Sequence, residues 1–326
     1  MQALYRATAF AAALGLALGA ATAHASWPAD RPISMVVPYP PGSSPDTLAR
    51  ALAEPLSTSL KQRIVIENRP GAGGNIGTRF VTRAAPDGYT LVYTINGPLV
   101  TAPTLYKKTL GYDPFADLQP VSLVGTSPNV LTVPADSPAK DVPSFVQAVK
   151  SHPGRWNYGS VGAGSSAHLA MEMFKQQAGI DLLHVPYAGF SQVITAIIGG
   201  DVQAGFMVPA IAMPQVRAGK VRALAVTSLE PSDTLPGIPT MADQGYPGFE
   251  SISWNAILAP KGTSPEIVDT LNRHINAALK DPKIQTLMRT QYFTPAYSSP
   301  AQLTTLMTTE KKRWDWVIDA LKLSLE

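Results

Sequence analysis

The sequence predicts an α/β protein built as two lobes, each a sheet flanked by helices. Three observations predict it. Short apolar runs, Gly/Pro/Ser turns and amphipathic helices alternate along the chain, the signature of βαβ units and a parallel sheet with helices on both faces. That series occurs twice, once from Ile33 to Thr94 and again from Trp156 to Thr227. Finally, a chain of 326 residues without a cysteine must stabilise itself by burial alone, and does so most comfortably as two domains.

The elements follow in order. Ile33–Val37 is a short buried strand ending at Pro38. The loop Tyr39–Pro45 leads to Asp46, an expected N-cap, and a helix to about Leu60. Ile64–Glu67 is a second strand, followed by the Gly-rich loop Pro70–Gly74, a helix from Asn75 to about Ala84 and a third strand, Leu91–Thr94. In the second series the strands are Trp156–Gly159, Leu183–Pro186, Ala204–Met207 and Ala223–Thr227. Helices are expected over His168–Ala178 and Gln192–Ile198. The last third holds a strand near Ser253–Ala259 and helices at Pro265–Leu279 and from Pro300 to about Leu321, which are expected to pack back onto the first lobe. The chain is expected to cross between lobes near Gly125 and Glu250. This gives a leader over 1–25, one lobe from 26–125 plus 251–326, and a second from 126–250.

The first 25 residues read as a cleaved export signal. Arg6 precedes the apolar run Ala7–Ala21, and Ala23-His24-Ala25 is the small-x-small pattern cut before Ser26. The run is short of the ~20 residues a spanning helix needs. With no cysteine there is no disulfide, thiolate metal site, cysteine nucleophile or lipid attachment point, so a freely diffusing periplasmic monomer is expected. Net charge is +3, from 26 basic and 23 acidic residues; losing Arg6 leaves 25 against 23, or +2. The basic residues are scattered, which argues against a nucleic-acid partner.

Two segments share one design: strand, small-residue loop, helix N-terminus. The first contains Tyr39, Pro41, Gly42, Ser43, Ser44 and Asp46. The second contains Gly162, Gly164, Ser165, Ser166 and His168. Small residues let a ligand approach the backbone, first-turn N–H groups and the helix dipole attract an anion, and serine hydroxyls add donors. Either loop alone is an ordinary strand-to-helix turn; one on each lobe makes a two-sided clamp. Ligands of open α/β sheets sit outside the carboxyl ends of the strands, where both loops lie. His168 either touches an anion or holds the loop backbone.

Enzyme templates fare worse. The loop Asn68–Gly77 lacks the Lys-Ser/Thr of a P-loop, and Gly71, Gly73 and Gly77 are one residue too widely spaced for a dinucleotide fingerprint. The run Gly162–Ala167 does fit the relaxed fingerprint, with Asp181 downstream, and keeps a periplasmic NAD-type oxidoreductase as an alternative. There is no Gly-x-Ser-x-Gly elbow. His152, His168, His184 and His274 show no metal-ligand spacing. Neither cofactor nor metal is expected.

Several longer motifs carry a family resemblance. Val36–Gly42 (VVPYPPG), Glu67–Gly77 (ENRPGAGGNIG), Ala85–Leu91 (APDGYTL), Pro128–Leu131 (PNVL), Gly164–Leu169 (GSSAHL), His184–Tyr187 (HVPY), Ala218–Val226 (AGKVRALAV) and Leu258–Thr263 (LAPKGT) stand in the order found in Bug-type receptors. These are the substrate-binding proteins of tripartite tricarboxylate transporters. The resemblance implies a Venus-flytrap receptor with lobes joined by crossing strands, binding carboxylates for a membrane permease and performing no catalysis. It also implies that the Tyr39–Asp46 loop holds a carboxylate and that the Val161–His168 loop closes from the other lobe. A ligand-binding partner of a sensor system would look the same.

Two departures bear on the ligand. The family's usual Pro-Pro-Gly-Gly-Ser-Thr-Asp reads here with Ser43 for the second Gly and Pro45 for Thr. Its Phe-Asp-Asn reads Phe206-Met207-Val208, replacing an acid by apolar side chains. The expected ligand therefore has one or two carboxylates on an apolar, even aromatic body of the terephthalate kind, and is not an amino acid. Tyr39, Phe190, Phe206, Met207 and Trp254 are the candidates to line that body, each with core packing as the competing role.

Overall fold

The computed structural model describes residues 27–325; the expected signal lies outside them. Lobe 1 is a six-stranded sheet in the order β11-β4-β10-β3-β1-β2. Its strands are β1 (Ile33–Val37), β2 (Ile64–Asn68), β3 (Thr90–Ile95), β4 (Leu118–Pro128), β10 (Ile252–Pro260) and β11 (Thr294–Pro295). The expected parallel pairing holds for β1 with β2 and β3. Beyond β3 the sheet turns antiparallel, because β10 and β4 lie side by side in opposite directions. Lobe 2 carries β5 (Val130–Pro134), β6 (Asn157–Ser160), β7 (Leu183–Pro186), β8 (Gly205–Met207) and β9 (Val221–Val226). Its strands run in the order β8-β5-β9, and β6 pairs in parallel with β7. A bridge from Tyr158 to Ala204 ties β6 to the start of β8.

The helices are α1 (Ser44–Leu60), α2 (Asn75–Thr82), α3 (Ala102–Leu105), α4 (Pro114–Asp117), α5 (Val142–Ser151), α6 (Ser166–Ala178), α7 (Phe190–Gly199), α8 (Pro209–Arg217), α9 (Pro265–Ala278), α10 (Pro282–Thr290) and α11 (Pro300–Ala320). In α1 the apolar positions Leu48, Leu52, Leu56 and Leu60 repeat every four residues. They bury with Leu271 and Ile275 of α9 against Ile33, Met35 and Tyr93 of the sheet. Each leucine so covered contributes roughly 2 kcal/mol. The helix begins earlier than expected: Ser43 is the N-cap, and Asp46 sits in the first turn.

A second core runs across both lobes, joining Val36, Val92 and Leu105 to Phe145, Phe174 and Phe206, with Trp254 and Trp314 among them. Helix α11, closed at its start by a Ser299–Gln302 capping box, packs on β4 and also reaches α6. It therefore spans the lobes rather than covering lobe 1 alone. Arg313 pins it to the crossing, with a guanidinium nitrogen 2.8 Å from the Glu250 carboxylate and another 2.9 Å from that of Glu310.

The crossing itself is a buried polar knot. β4 keeps its pairing to Pro128, past Gly125, and the chain enters lobe 2 at Asn129; it returns at Ser251. Thr227, fully buried, ties both passages. Its hydroxyl donates to the Ser251 carbonyl at 2.6 Å and accepts the Asn129 N–H at 2.8 Å. Its own N–H bonds the Asn129 carbonyl at 3.0 Å, and its carbonyl accepts the Ser251 N–H at 3.0 Å. Replacing the hydroxyl by a methyl strands the Asn129 N–H in a dry site and leaves the Ser251 carbonyl with only the longer bond from the Asn129 amide, at 3.4 Å. Thr227→Val should therefore cost about 1–3 kcal/mol in urea denaturation. Ser228→Ala, whose buried hydroxyl has no partner, should stay within about 0.5 kcal/mol.

Candidate ligand-binding cleft

The first small-residue loop is held by a carboxylate that is itself fully occupied. Asp46, 2% exposed, accepts the Gly42 N–H at 2.8 Å, the Arg50 Nε–H at 3.0 Å and the Asn68 amide at 2.8 Å. Burial alone would push its carboxyl up. Hydrogen bonds from Arg50, Gly42 and Asn68, with the Arg50 charge, outweigh that and hold it below the usual range. Asp46 thus shapes the loop and has no free face for a ligand. Beside it the Ser43 and Ser44 hydroxyls are buried without a partner at the N-terminus of α1.

The second loop is held by a histidine. Ser165 caps α6, accepting the His168 N–H at 3.3 Å and donating to the Gly162 carbonyl at 2.8 Å. His168, 5% exposed, accepts the Gly164 N–H on Nδ1 at 3.0 Å. Its ring lies 4.2 Å from that of His184, which meets the Ser160 hydroxyl through Nε2 at 2.7 Å. Tyr158 stacks on His184 at 4.9 Å and donates to Glu172, whose carboxylate also takes Lys175. Burial, then the neighbouring His184, pushes His168 down to about 4; burial likewise lowers His184. The imidazole must be neutral to accept from Gly164, and its surroundings keep it so.

Between the loops lies a cavity of about 520 Å³, a size suited to a small organic ligand. Lobe 1 supplies Tyr39, the Ala72–Asn75 segment and the stretch from Ile95 to Tyr106; lobe 2 supplies Val161, Ala163, Gly164, Ser165, Ser166 and Phe190. Trp314 and Leu325 complete it. Among the described residues, no lining side chain carries a charge. The polar groups are neutral donors, and the helices α2 and α6 begin at the lining residues Asn75 and Ser166, so their dipoles favour an anion there. Tyr39 packs against the Gly-rich loop so closely that a Cβ on Gly74 would fall 2.6 Å from its hydroxyl. Its phenol, pushed up by burial, stays protonated as a donor.

The structure brings together Tyr39, Gly164, Ser165 and Ser166 at the cavity. Of the first loop only Tyr39 lines it; Pro41, Gly42, Ser43 and Ser44 are not among the lining residues, Asp46 and His168 hold the loops, and the Gly162 carbonyl accepts the Ser165 hydroxyl. Phe206 and Met207 do not reach it: both are fully buried, Phe206 stacked on Phe249 and Met207 within the α7–β8 core. Of the other apolar candidates, Phe190 lines the cavity and Trp254 packs in the core. Sequence reasoning missed Asn75, Asn96, Thr101 and Trp314. Asn75 follows the Gly-rich loop, which the sequence marks as a family motif without assigning it to the ligand, and Trp314 comes from the distant α11.

This geometry can be set beside known proteins. The model for the tripartite tricarboxylate transporter family receptor matches residues 48–323. The chain belongs to that family. Its members are periplasmic solute-binding receptors serving transport. BugT of Bordetella pertussis is 37% identical over 88% of each chain. An R. palustris protein solved with adipate is 33% identical, covers 91% of this chain and 99% of its own, and superposes with a TM-score of 0.80. MatC of Rhodopseudomonas palustris, solved with malate, is 31% identical over 89% and 99%, with a TM-score of 0.75. These receptors share the two-lobed fold seen here.

The buried imidazole makes stability pH-dependent. Because the native pKa of His168 lies near 4 against 6.5 for a free imidazole, the unfolded chain protonates first as pH falls. The contribution is complete above pH 6.5 and is lost as pH falls towards 4. Between pH 7 and 5 the loss from His168 alone should be about 2 kcal/mol. Urea denaturation of His168→Gln should show that slope removed.

Proposed function

We propose that this receptor works in the periplasm, as a monomer, and captures a small organic carboxylate between its lobes for delivery to a tripartite permease. The observation that carries the reading is the cavity lining: donors from both lobes, two helix N-termini, extensive apolar surface and, among the described residues, no charged side chain. A carboxylate held by first-turn N–H groups and neutral hydroxyls needs no ion pair. An α-amino group, by contrast, would find no acid to meet it. Ile95, Pro98, Leu105, Val161, Phe190 and Trp314 suit an apolar body between or beside carboxylates. The adipate complex of a relative supports this class. We take lobe 1 as 26–125 plus 251–326 and lobe 2 as 126–250, with the hinge drawn to Asn129 and Ser251. The unpartnered Ser43 and Ser44 hydroxyls suggest a site for a water or carboxylate oxygen.

Calorimetric titration tests the class. Adipate or terephthalate should bind with a Kd near 1 μM, about 8 kcal/mol, while aspartate and glutamate should not. Binding of the amino acids with none of the diacids would overturn the reading. Ser166→Ala should weaken binding about 10-fold without moving the melting temperature. Ser165→Ala should additionally lose about 1 kcal/mol of stability, because Ser165 caps α6. Intact-mass analysis of periplasmic extract should find the chain beginning at Ser26.

A further inference from the structure

The segment following α11 does not run free. The helix ends in a Schellman turn: Lys322 adopts φ of 51°, its N–H bonds the Asp319 carbonyl at 3.1 Å, and the Leu323 N–H bonds that of Ile318 at 3.0 Å. This turns the chain back towards the cleft. The Leu325 N–H then donates to the Leu105 carbonyl at 2.9 Å, at the last residue of α3, whose carbonyl has no partner within the helix. On the opposite side the Leu325 side chain faces Gly164 of lobe 2. A Cβ on Gly164 would stand 2.9 Å from a Leu325 methyl carbon and 2.6 Å from one of Leu105. Leu325 is therefore wedged where the lobes meet, and it lines the cavity with Leu105, Tyr106 and Trp314.

We propose that Leu325 is a wall of the ligand cavity, bridging the lobes and limiting the size of the apolar body the receptor accepts. The contact is independent of ligand class; the choice of diacids as probes rests on the carboxylate reading above. Among the described residues, the backbone beyond the Schellman turn makes one hydrogen bond to the rest of the protein, that of Leu325 to Leu105, while Leu323 and Leu325 pack on the core. A glycine is needed at position 164 for the wall to seat, since any side chain there would displace it.

The absence of native cysteine allows a direct measurement. In the ligand-free full chain, Leu325→Cys should react with a maleimide at least fivefold more slowly than Ser324→Cys, whose neighbouring position is exposed. Equal rates would overturn the proposal. Calorimetry with succinate, glutarate, adipate, pimelate, suberate and azelate should then show Leu325→Ala preferring diacids at least one methylene longer than wild type does. Affinity for the wild-type optimum should fall about fivefold or more, and a chain truncated after Leu323 should follow the same trend. An unchanged order and unchanged affinities in both variants would also overturn it. A wild-type chain that binds no diacid would refute the carboxylate reading instead, and the labelling rates would then decide the wall alone.

Discussion

The two passages between the lobes meet at one hydroxyl. Thr227 bonds the strand leaving lobe 1 and the strand returning to it, so Asn129 and Ser251 are held in register at one buried point. A knot of this kind fixes where bending occurs and leaves open how far. The β4–β10 pair extends through lobe 1 as a rigid antiparallel ladder, whereas only short chain segments lie on the other side. The Asn129–Thr227–Ser251 cluster is thus where both passages between the lobes are tied together. Helix α11 adds a second restraint through Arg313 and Glu250, and its contact with α6 couples that restraint to lobe 2.

Because the lobes meet through this hinge, each needs to supply only half a site. The halves are built alike: a strand ends, a loop of small residues follows, and a buried side chain locks the loop. On lobe 1 the lock is ionic, Asp46 with Arg50 and Asn68. On lobe 2 it is a neutral imidazole accepting an N–H. The difference has an electrostatic reason. A charged lock beside the lobe 2 loop would impose a field on a cavity that otherwise contains only dipoles, and desolvating it there would be costly. A neutral His168 adds no charge of its own to the lobe 2 side of the cavity.

Much of this was legible in the sequence, and what was hidden has physical causes. β1 and β7 fall where their apolar runs end, and both clamp loops follow from the rule that small residues before a helix expose backbone N–H groups. β4 and β5 escaped notice because Pro120, Gly125, Pro128 and Pro134 break the run that would mark a strand; they are tolerated where β4 bends and passes between sheets. Phe206 and Met207 misled for another reason. A three-residue strand at the middle of a layered lobe has both faces covered, so alternation cannot send either side chain to the cleft. Trp314 and Leu325 were beyond reach because they arrive from the far end of the chain through tertiary packing.

The locking of the lobe 2 loop also narrows which atoms remain for a ligand. The Ser165 hydroxyl is engaged by the Gly162 carbonyl and the His168 N–H, and the Gly164 N–H is engaged by His168. Three groups that look like anion donors in the sequence are thus spent on holding the loop open-faced. What lobe 2 has left at the cavity is the Ser166 hydroxyl with the Ser166 and Ala167 N–H groups in the first turn of α6, aligned with the helix dipole. A site preorganised in this way gives up donors in order to fix the rest. The energetic return of such preorganisation is that binding at this loop would not have to order it.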